Sequence, residues 1–331
     1  MDIPILHEIN EHTDLSSLGL GMVVNDAYII NDAKLCKASN GNPYLRARLI
    51  DNSGTIPLII WDYDSDVNEK HNGRIVYIVG TVSVYNNQLQ VSGEQIELCE
   101  ADKYNLSGVI DRIVPCAPID VEEYTAYLYN KINDIRDPDY HGIVLTLVMK
   151  YHDQFLSIPA SKSIHHSFKH GLLMHTCNML KLADVICETY GDEIYRDLLT
   201  AGIILHDIGK ISEFEISEET CLVKGYSSRG NTVGHSVLGA IAVEDTGAAM
   251  NVDNEKITML QHMLLSHHGK PEYGAPKVPI IVEAEILHCL DMIDSRLEIY
   301  TENLINVAYG ESSPYVSSLE KRLYRHYASL V

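Results

Sequence analysis

The residues of this chain with the most chemistry in them are His206-Asp207-Ile208-Gly209-Lys210, which follow the apolar run from Leu198 to Leu205. Imidazole and carboxylate bind the same borderline divalent cations. Neighbouring helical positions point about 100° apart, so the pair can approach an ion or an ion pair from two sides. Gly209 is expected to end the helix, and Lys210 to place an ammonium where a phosphate would be welcome. A polar helix end beside a C-cap glycine would use the same five residues, so the decision falls to the rest of the chain.

Four other segments offer ligands of the same kind. His175 lies on a helix that continues through Leu180 and Ala183, and His235 follows a glycine-rich stretch in Gly234-His235-Ser236. His267 and His268 stand three and four residues after Leu264 and extend its apolar stripe up to Gly269. Leu287, Asp291 and Asp294 share one face of a helix expected over 279–300, which puts carboxylates on a core-facing stripe. Any one of the 16 histidines is readily a satisfied core or surface residue. Together, a His or Asp at the inner face or end of consecutive helices is how helical bundles build metal sites. Five imidazoles and two carboxylates exceed the need of one ion and fit a two-metal centre bridged by Asp207. The alternative requires several unpaired buried polar groups, each costing about 1–3 kcal/mol.

Two regions must position these residues. From about 20 to 100 short β-branched or apolar runs (22–30, 34–38, 44–50, 56–61, 75–84 and 89–98) are punctuated by turn chemistry such as Ser39-Asn40-Gly41-Asn42-Pro43. Five or six strands in so few residues predict a small closed barrel, and an OB-fold is the common one of that size. Residues 1–100 are therefore assigned to the barrel and 101–120, with Pro115 and Pro118, to a linker. An all-α domain is expected over 121–308, opened by Asp120-Val121-Glu122-Glu123 as a helix N-terminus. Ser317-Ser318-Leu319-Glu320 is expected to open a last amphipathic helix within 309–331, for packing or for subunit contact in a homo-oligomer. In the barrel, Tyr44 and Trp61 are candidates for stacking on bases, and Lys34, Lys37, Arg46 and Arg48 cluster on adjacent strands.

Bulk properties narrow the classes. With 46% hydrophobic and 21% charged residues the chain is of ordinary globular composition. The absence of a long apolar run or a leader-like N-terminus leads to the expectation of a cytoplasmic protein. Seven scattered cysteines without a CxxC speak against a disulfide framework or a zinc knuckle. A formal charge of −21 speaks against simple nucleic-acid binding by charge alone, although an occupied metal cluster reverses the sign locally.

The series His175, His206-Asp207, His235, His267-His268 and Asp291 resembles the HD-domain superfamily of metal-dependent phosphohydrolases. The wider chain resembles the YhaM-type 3′→5′ exoribonucleases, an OB-fold followed by an HD domain. The stretches that carry this resemblance include 39–45 and 60–62 in the barrel, and 159–166, 171–176, 196–202, 265–269 and 283–288 beyond it. It implies removal of nucleoside 5′-monophosphates from the 3′ end of single-stranded RNA, with single-stranded DNA as a second substrate, by two divalent ions of the Mn²⁺ type. His175, His206, Asp207, His235, His267, His268 and Asp291 would be the ligands, and Asp207 and Lys210 the catalytic residues. His165, His166, Arg229 and Asp294 would contact substrate, as would Tyr44 and Trp61. Two departures stand out. His170 and Met174 replace the Gly and Glu usual in the family, and the acidic segment 212–230 is longer than expected, suggesting a lid between Ile211 and Gly234. A nucleotide or cyclic-nucleotide phosphohydrolase, and a single-strand-binding replication protein with a structural HD part, are the competing readings.

Overall fold

The structure is a computed structural model that describes residues 7–86, 88–162, 166–305 and 307–326. The chain divides into two units: one runs to Ala117 and takes in Glu215–Gly225, and the other comprises Pro118–Phe214 and Tyr226 onward. No helix among the described residues is long and apolar enough to cross a membrane.

The first unit is a closed barrel of β1 (Val23–Lys37), β2 (Pro43–Asp51), β3 (Gly54–Trp61), β4 (Ile75–Tyr85) and β5 (Gln88–Leu98). The strand order is β1-β2-β3-β5-β4. All neighbours are antiparallel except β3 with β5, and β4 closes back on β1. This is the five-stranded Greek-key barrel of an OB-fold. Its interior is filled by alternate residues such as Leu45, Ala47, Leu49 and Leu58, as the two-residue period of a strand requires. The runs expected separately over 22–30 and 34–38 are one strand. Its pairing with β2 shifts register between Asn31 and Lys34, where Asp32 adopts φ 51°, so the turn-like residues mark a bulge and not a break.

The supposed linker over 101–120 belongs largely to this unit. Tyr104–Asn105 pairs in parallel with His7–Glu8, and the turn Ile110–Ile113 brings Val109, Ile113 and Val114 into a second apolar cluster with Ala27, Ile29 and Ile75. The two prolines do not prevent this, because the apolar residues recur at helical spacing just before them. The acidic segment is not an irregular loop. It forms a hairpin of β6 (Phe214–Ile216) and β7 (Val223–Tyr226), in which Leu222 joins the same apolar cluster. Ser217 Oγ and Thr220 Oγ1 each donate to the Gly73 carbonyl at 2.8 Å, and Glu219 accepts from Arg74 Nε at 2.6 Å.

The second unit carries α1 (Val121–Asn133), α2 (Pro138–Lys150), α3 (Gly171–Tyr190), α4 (Arg196–Leu205), α5 (His235–Ala249), α6 (Asn254–Ser266) and α7 (Val282–Leu304). Caps appear where the side chains provide them. Asp120 accepts from the Glu123 amide, Asp137 precedes a proline at the start of α2, and Asp253 accepts from the Glu255 amide. The final helix expected within 309–331 is instead a hairpin, β8 (Ser312–Val316) with β9 (Lys321–Tyr324), whose turn places Glu320 at φ 51°. The Ser-x-x-Glu signature is overridden because Val316 and Leu323 bury with Ile299 of α7.

Candidate metal centre

Each ligand candidate comes from a helix end or an inner helix face. His175 lies in the second turn of α3, His206 and Asp207 follow α4, and His235 opens α5. His267 and His268 follow α6, and Asp291 is in the middle of α7. The ring nitrogens are sorted by their partners. His206 Nδ1 donates to the Ile203 carbonyl at 2.8 Å, His267 Nδ1 to the Leu264 carbonyl at 2.7 Å, and His235 Nδ1 to Glu213 at 3.1 Å. His175 Nδ1 donates to Asp294 Oδ2 at 2.6 Å. A proton fixed on Nδ1 leaves the Nε2 lone pair of a neutral imidazole as the ligand atom.

Those lone pairs converge in two groups. His175, His206 and Asp291 present ligand atoms within 4.8 Å of one another, and so do His235, His267 and His268. Asp207 stands between them. Its Oδ2 is 3.2 Å from His206 Nε2, and its Oδ1 is 3.6 Å from His235 Nε2 and 3.8 Å from His267 Nε2. His206 Nε2, Asp207 Oδ1, His235 Nε2, His267 Nε2 and His268 Nδ1 are all buried and have no hydrogen-bond partner among the described residues. Five such atoms in and between the two groups would be a large uncompensated cost unless cations complete them, and imidazole with carboxylate is a donor set that divalent transition ions accept.

The electrostatics agree. Burial pushes Asp207 up, but His206 and Lys210 hold it well below the usual carboxylate range. Burial and the neighbouring His268 and His206 push His267 down, and burial with His235 brings His268 down to about 4, so both rings are neutral at pH 7. Burial also pulls at His175, yet Asp291 and Asp294 raise it to about 10; positive charge is wanted at that point, and a metal ion supplies it as a proton does.

Comparison with known proteins follows this geometry. The HD domain family matches residues 172–296, which contain every ligand candidate. The 3′-5′ exoribonuclease YhaM of Bacillus licheniformis is 34% identical over 319 residues, covering 96% of each chain. That of Listeria monocytogenes is 34% identical over 305 residues, 92% of this chain and 95% of its own. The chain belongs to the YhaM family. Among solved structures, the second OB-fold domain of replication protein A from Methanococcus maripaludis covers 27% of this chain and 94% of its own, with 20% identity and a TM-score of 0.21.

Several residues depart from the roles expected of them in a YhaM relative. Gly209 does not end the helix. Its φ of −65° and ψ of −20° are right-handed helical, and the chain continues into the turn Lys210–Glu213. Glycine stands there because a Cβ would lie 2.0 Å from the His235 carbonyl oxygen, so two ligand-bearing backbones touch. Lys210 is buried and donates to Asp207 Oδ2 at 2.6 Å, which makes it a support of Asp207 first. Asp294 is not placed for substrate. It is buried, bonded to His175 and to Asn178 Nδ2 at 3.0 Å. His166 is fully buried, 3.3 Å from Asp294, and does not line an open face. His165 lies outside the described residues. Arg229 is exposed on the short helix Ser228–Thr232.

His170 caps the start of α3 at φ 66°, a left-handed position that glycine adopts most easily; its Nδ1 donates to the Leu156 carbonyl at 2.7 Å. Glu213 is the residue that sequence reasoning missed. It accepts from both the ring and the backbone amide of His235, the latter at 2.9 Å, and is held low by that imidazole against the effect of burial. It carries no local signal, since its partner lies 22 residues on.

In the barrel, Tyr44 and Trp61 face each other directly across β2 and β3 with ring centroids 4.8 Å apart. Trp61 is 56% exposed, and both line an open cleft of about 560 Å³ with Lys37, Asn40 and Asn42. Arg48 is engaged by Asp32 at 2.8 Å, so the basic cluster is smaller than its sequence spacing suggests.

Proposed function

We propose that this chain is a metal-dependent 3′→5′ exoribonuclease that shortens single-stranded RNA, releasing nucleoside 5′-monophosphates. The observation that carries the reading is the pair of three-residue ligand groups on either side of Asp207, with five buried donor or acceptor atoms that have no hydrogen-bond partner among the described residues. Membership of the YhaM family supplies the substrate class and the polarity. These groups would hold divalent ions, Mn²⁺ among the candidates for a mixed imidazole and carboxylate set, and such ions would supply Lewis-acid stabilisation and an activated water at neutral pH. His175, His206 and Asp291 would hold one ion, His235, His267 and His268 the other, and Asp207 both.

The remaining residues have separable tasks. Lys210 holds the Asp207 carboxylate in place and would keep further N–H donors for a phosphate oxygen. Glu213 and Asp294 fix the rings of His235 and His175. In the barrel, the exposed Trp61 ring with Tyr44 beside it and Lys37 on the cleft offer stacking and phosphate contact to a strand without base selection, and DNA would bind there too.

The test is a 5′-labelled single-stranded RNA with a free or a phosphate-blocked 3′ end, alongside a circle of the same sequence, with added Mn²⁺. The expected result is a ladder that shortens from the 3′ side, slowed by the block, with the circle intact. Rapid cutting of the circle would replace the assignment with an endonuclease, and turnover of mononucleotides alone with a nucleotide phosphohydrolase.

A further inference from the structure

His288 lies on α7, one turn before Asp291, and its Nδ1 donates to the His267 carbonyl at 2.8 Å. The carbonyls of a helix's last turn have no intrahelical partner, and His267 follows directly on α6. A carbonyl can only accept, so the bond fixes the His288 proton on Nδ1 and fixes the plane of the peptide between His267 and His268. The next residue is shaped to the same ring. Gly269 has φ 77°, and a Cβ on it would lie 2.3 Å from both Cε1 and Nε2 of His288. The imidazole therefore rests against a bare Cα, and the Gly269 amide closes the turn on the Ser266 carbonyl at 2.7 Å.

The two ligands on that peptide are not equally supported. His267 is oriented by its own bond to the Leu264 carbonyl, whereas His268 Nδ1 is buried without a hydrogen-bond partner among the described residues, so the direction of its ring depends on the backbone that carries it. We infer that His288 is a positioning residue for the second ion group, holding the His267–His268 peptide so that His235, His267 and His268 converge. Because Asp291 on the same helix serves the other group, α7 sets both halves of the centre, one through a ligand and one through a peptide. The inference rests on the reading that both groups hold ions.

The experiment uses the full chain, stripped of metal and titrated with Mn²⁺ by calorimetry and by paramagnetic resonance, with circular dichroism to verify folding. The native chain should take two ions. His288→Ala should keep the first and bind the second about 10–100-fold more weakly, the range for loss of a ligand's outer partner. His288→Leu, which keeps bulk without a donor, should match it, and Gly269→Ala should repeat the defect through the displaced ring together with the strain of alanine at φ 77°. His288→Asn, whose amide offers a donor close to Nδ1, should restore most of the second affinity. Two ions bound at native affinity in both His288→Ala and His288→Leu, or an equal loss at both groups, would overturn the inference. A native chain that binds no ion would overturn the metal reading and this inference with it.

Discussion

Gly209→Ala isolates the geometry of the centre from its chemistry, because it adds one methyl group and removes no ligand. The backbone there is ordinary helix, so alanine has no conformational objection to the site. The obstacle is steric. The new Cβ would lie 2.0 Å from the His235 carbonyl oxygen and 2.8 Å from the Gly239 amide nitrogen, and neither is a flexible side-chain end. The two segments must separate by about 1 Å to reach even a tight contact. Asp207 and His235 ride on those segments, and the 3.6 Å between Oδ1 and Nε2 suits two ligands that each approach one ion to about 2.1 Å. Opened by a further 1 Å, they no longer reach a shared ion.

Overpacking of this kind costs about 1–3 kcal/mol. A misplacement near 1 Å at a reacting centre costs about 10²-fold in rate. The expected variant therefore stays folded, melts several degrees lower, binds the second ion weakly and loses about 100-fold in kcat/KM. Metal content by mass spectrometry, thermal unfolding and single-turnover cleavage measure the three quantities. Gly202→Ala in α4 is the control: its Cβ would meet Met263 Cε at 2.5 Å, the end of an unbranched side chain that can change rotamer, so activity should survive. A Gly209→Ala chain with full metal occupancy and native cleavage would refute the claim that this contact sets the centre.

Four further outcomes follow from the same residues. Asp207→Ala should release both ions and abolish hydrolysis, with helical content retained by circular dichroism. Glu213→Ala should weaken metal binding about 10–100-fold by freeing the His235 ring, which equilibrium titration would show. Trp61→Ala should lower affinity for a long strand by about 1–3 kcal/mol while leaving dinucleotide cleavage near native, since a dinucleotide need not engage the barrel. His12, buried between Asp26 and Asp51 at 3.2 Å from each, is lowered by burial but raised to about 9 overall by the two carboxylates. Its folded value exceeds the unfolded one, so its stabilisation is complete below about pH 6.5 and fades as pH rises through 9. Thermal unfolding from pH 6 to 10 should show this decline in the native chain and not in His12→Gln.

What could be read from the sequence was whatever has a local period or a local clash of type. The barrel strands alternate, and His206-Asp207 and Asp291 are polar residues on apolar stripes, so both were visible as pattern. Glu213 was not, because an acidic residue that holds a distant imidazole looks the same in sequence as one facing water. Gly209 was visible as a glycine and misread as a helix stop, since sequence does not distinguish a backbone that must turn from one that must be approached closely. The hairpin of β8 and β9 was misread because Ser-x-x-Glu is a local signal, while the burial of Val316 and Leu323 beside Ile299 is a tertiary one.

The hairpin of β6 and β7 has a consequence for synthesis. Ribosomes deliver the chain from its N-terminus, and domains tend to fold as they emerge. Here the first unit is finished only when residues 215–225 arrive, after more than ninety residues of the second unit have already left the tunnel. Until then the Gly73 carbonyl lacks its two hydroxyl donors and the outer apolar cluster lacks Leu222. No single cut of the chain separates the units. A fragment ending at Ala117 leaves those groups without their partners, and one beginning at Pro118 carries a strand pair with nothing to cover Leu222. The first unit of this enzyme is thus completed only while the second is already being made.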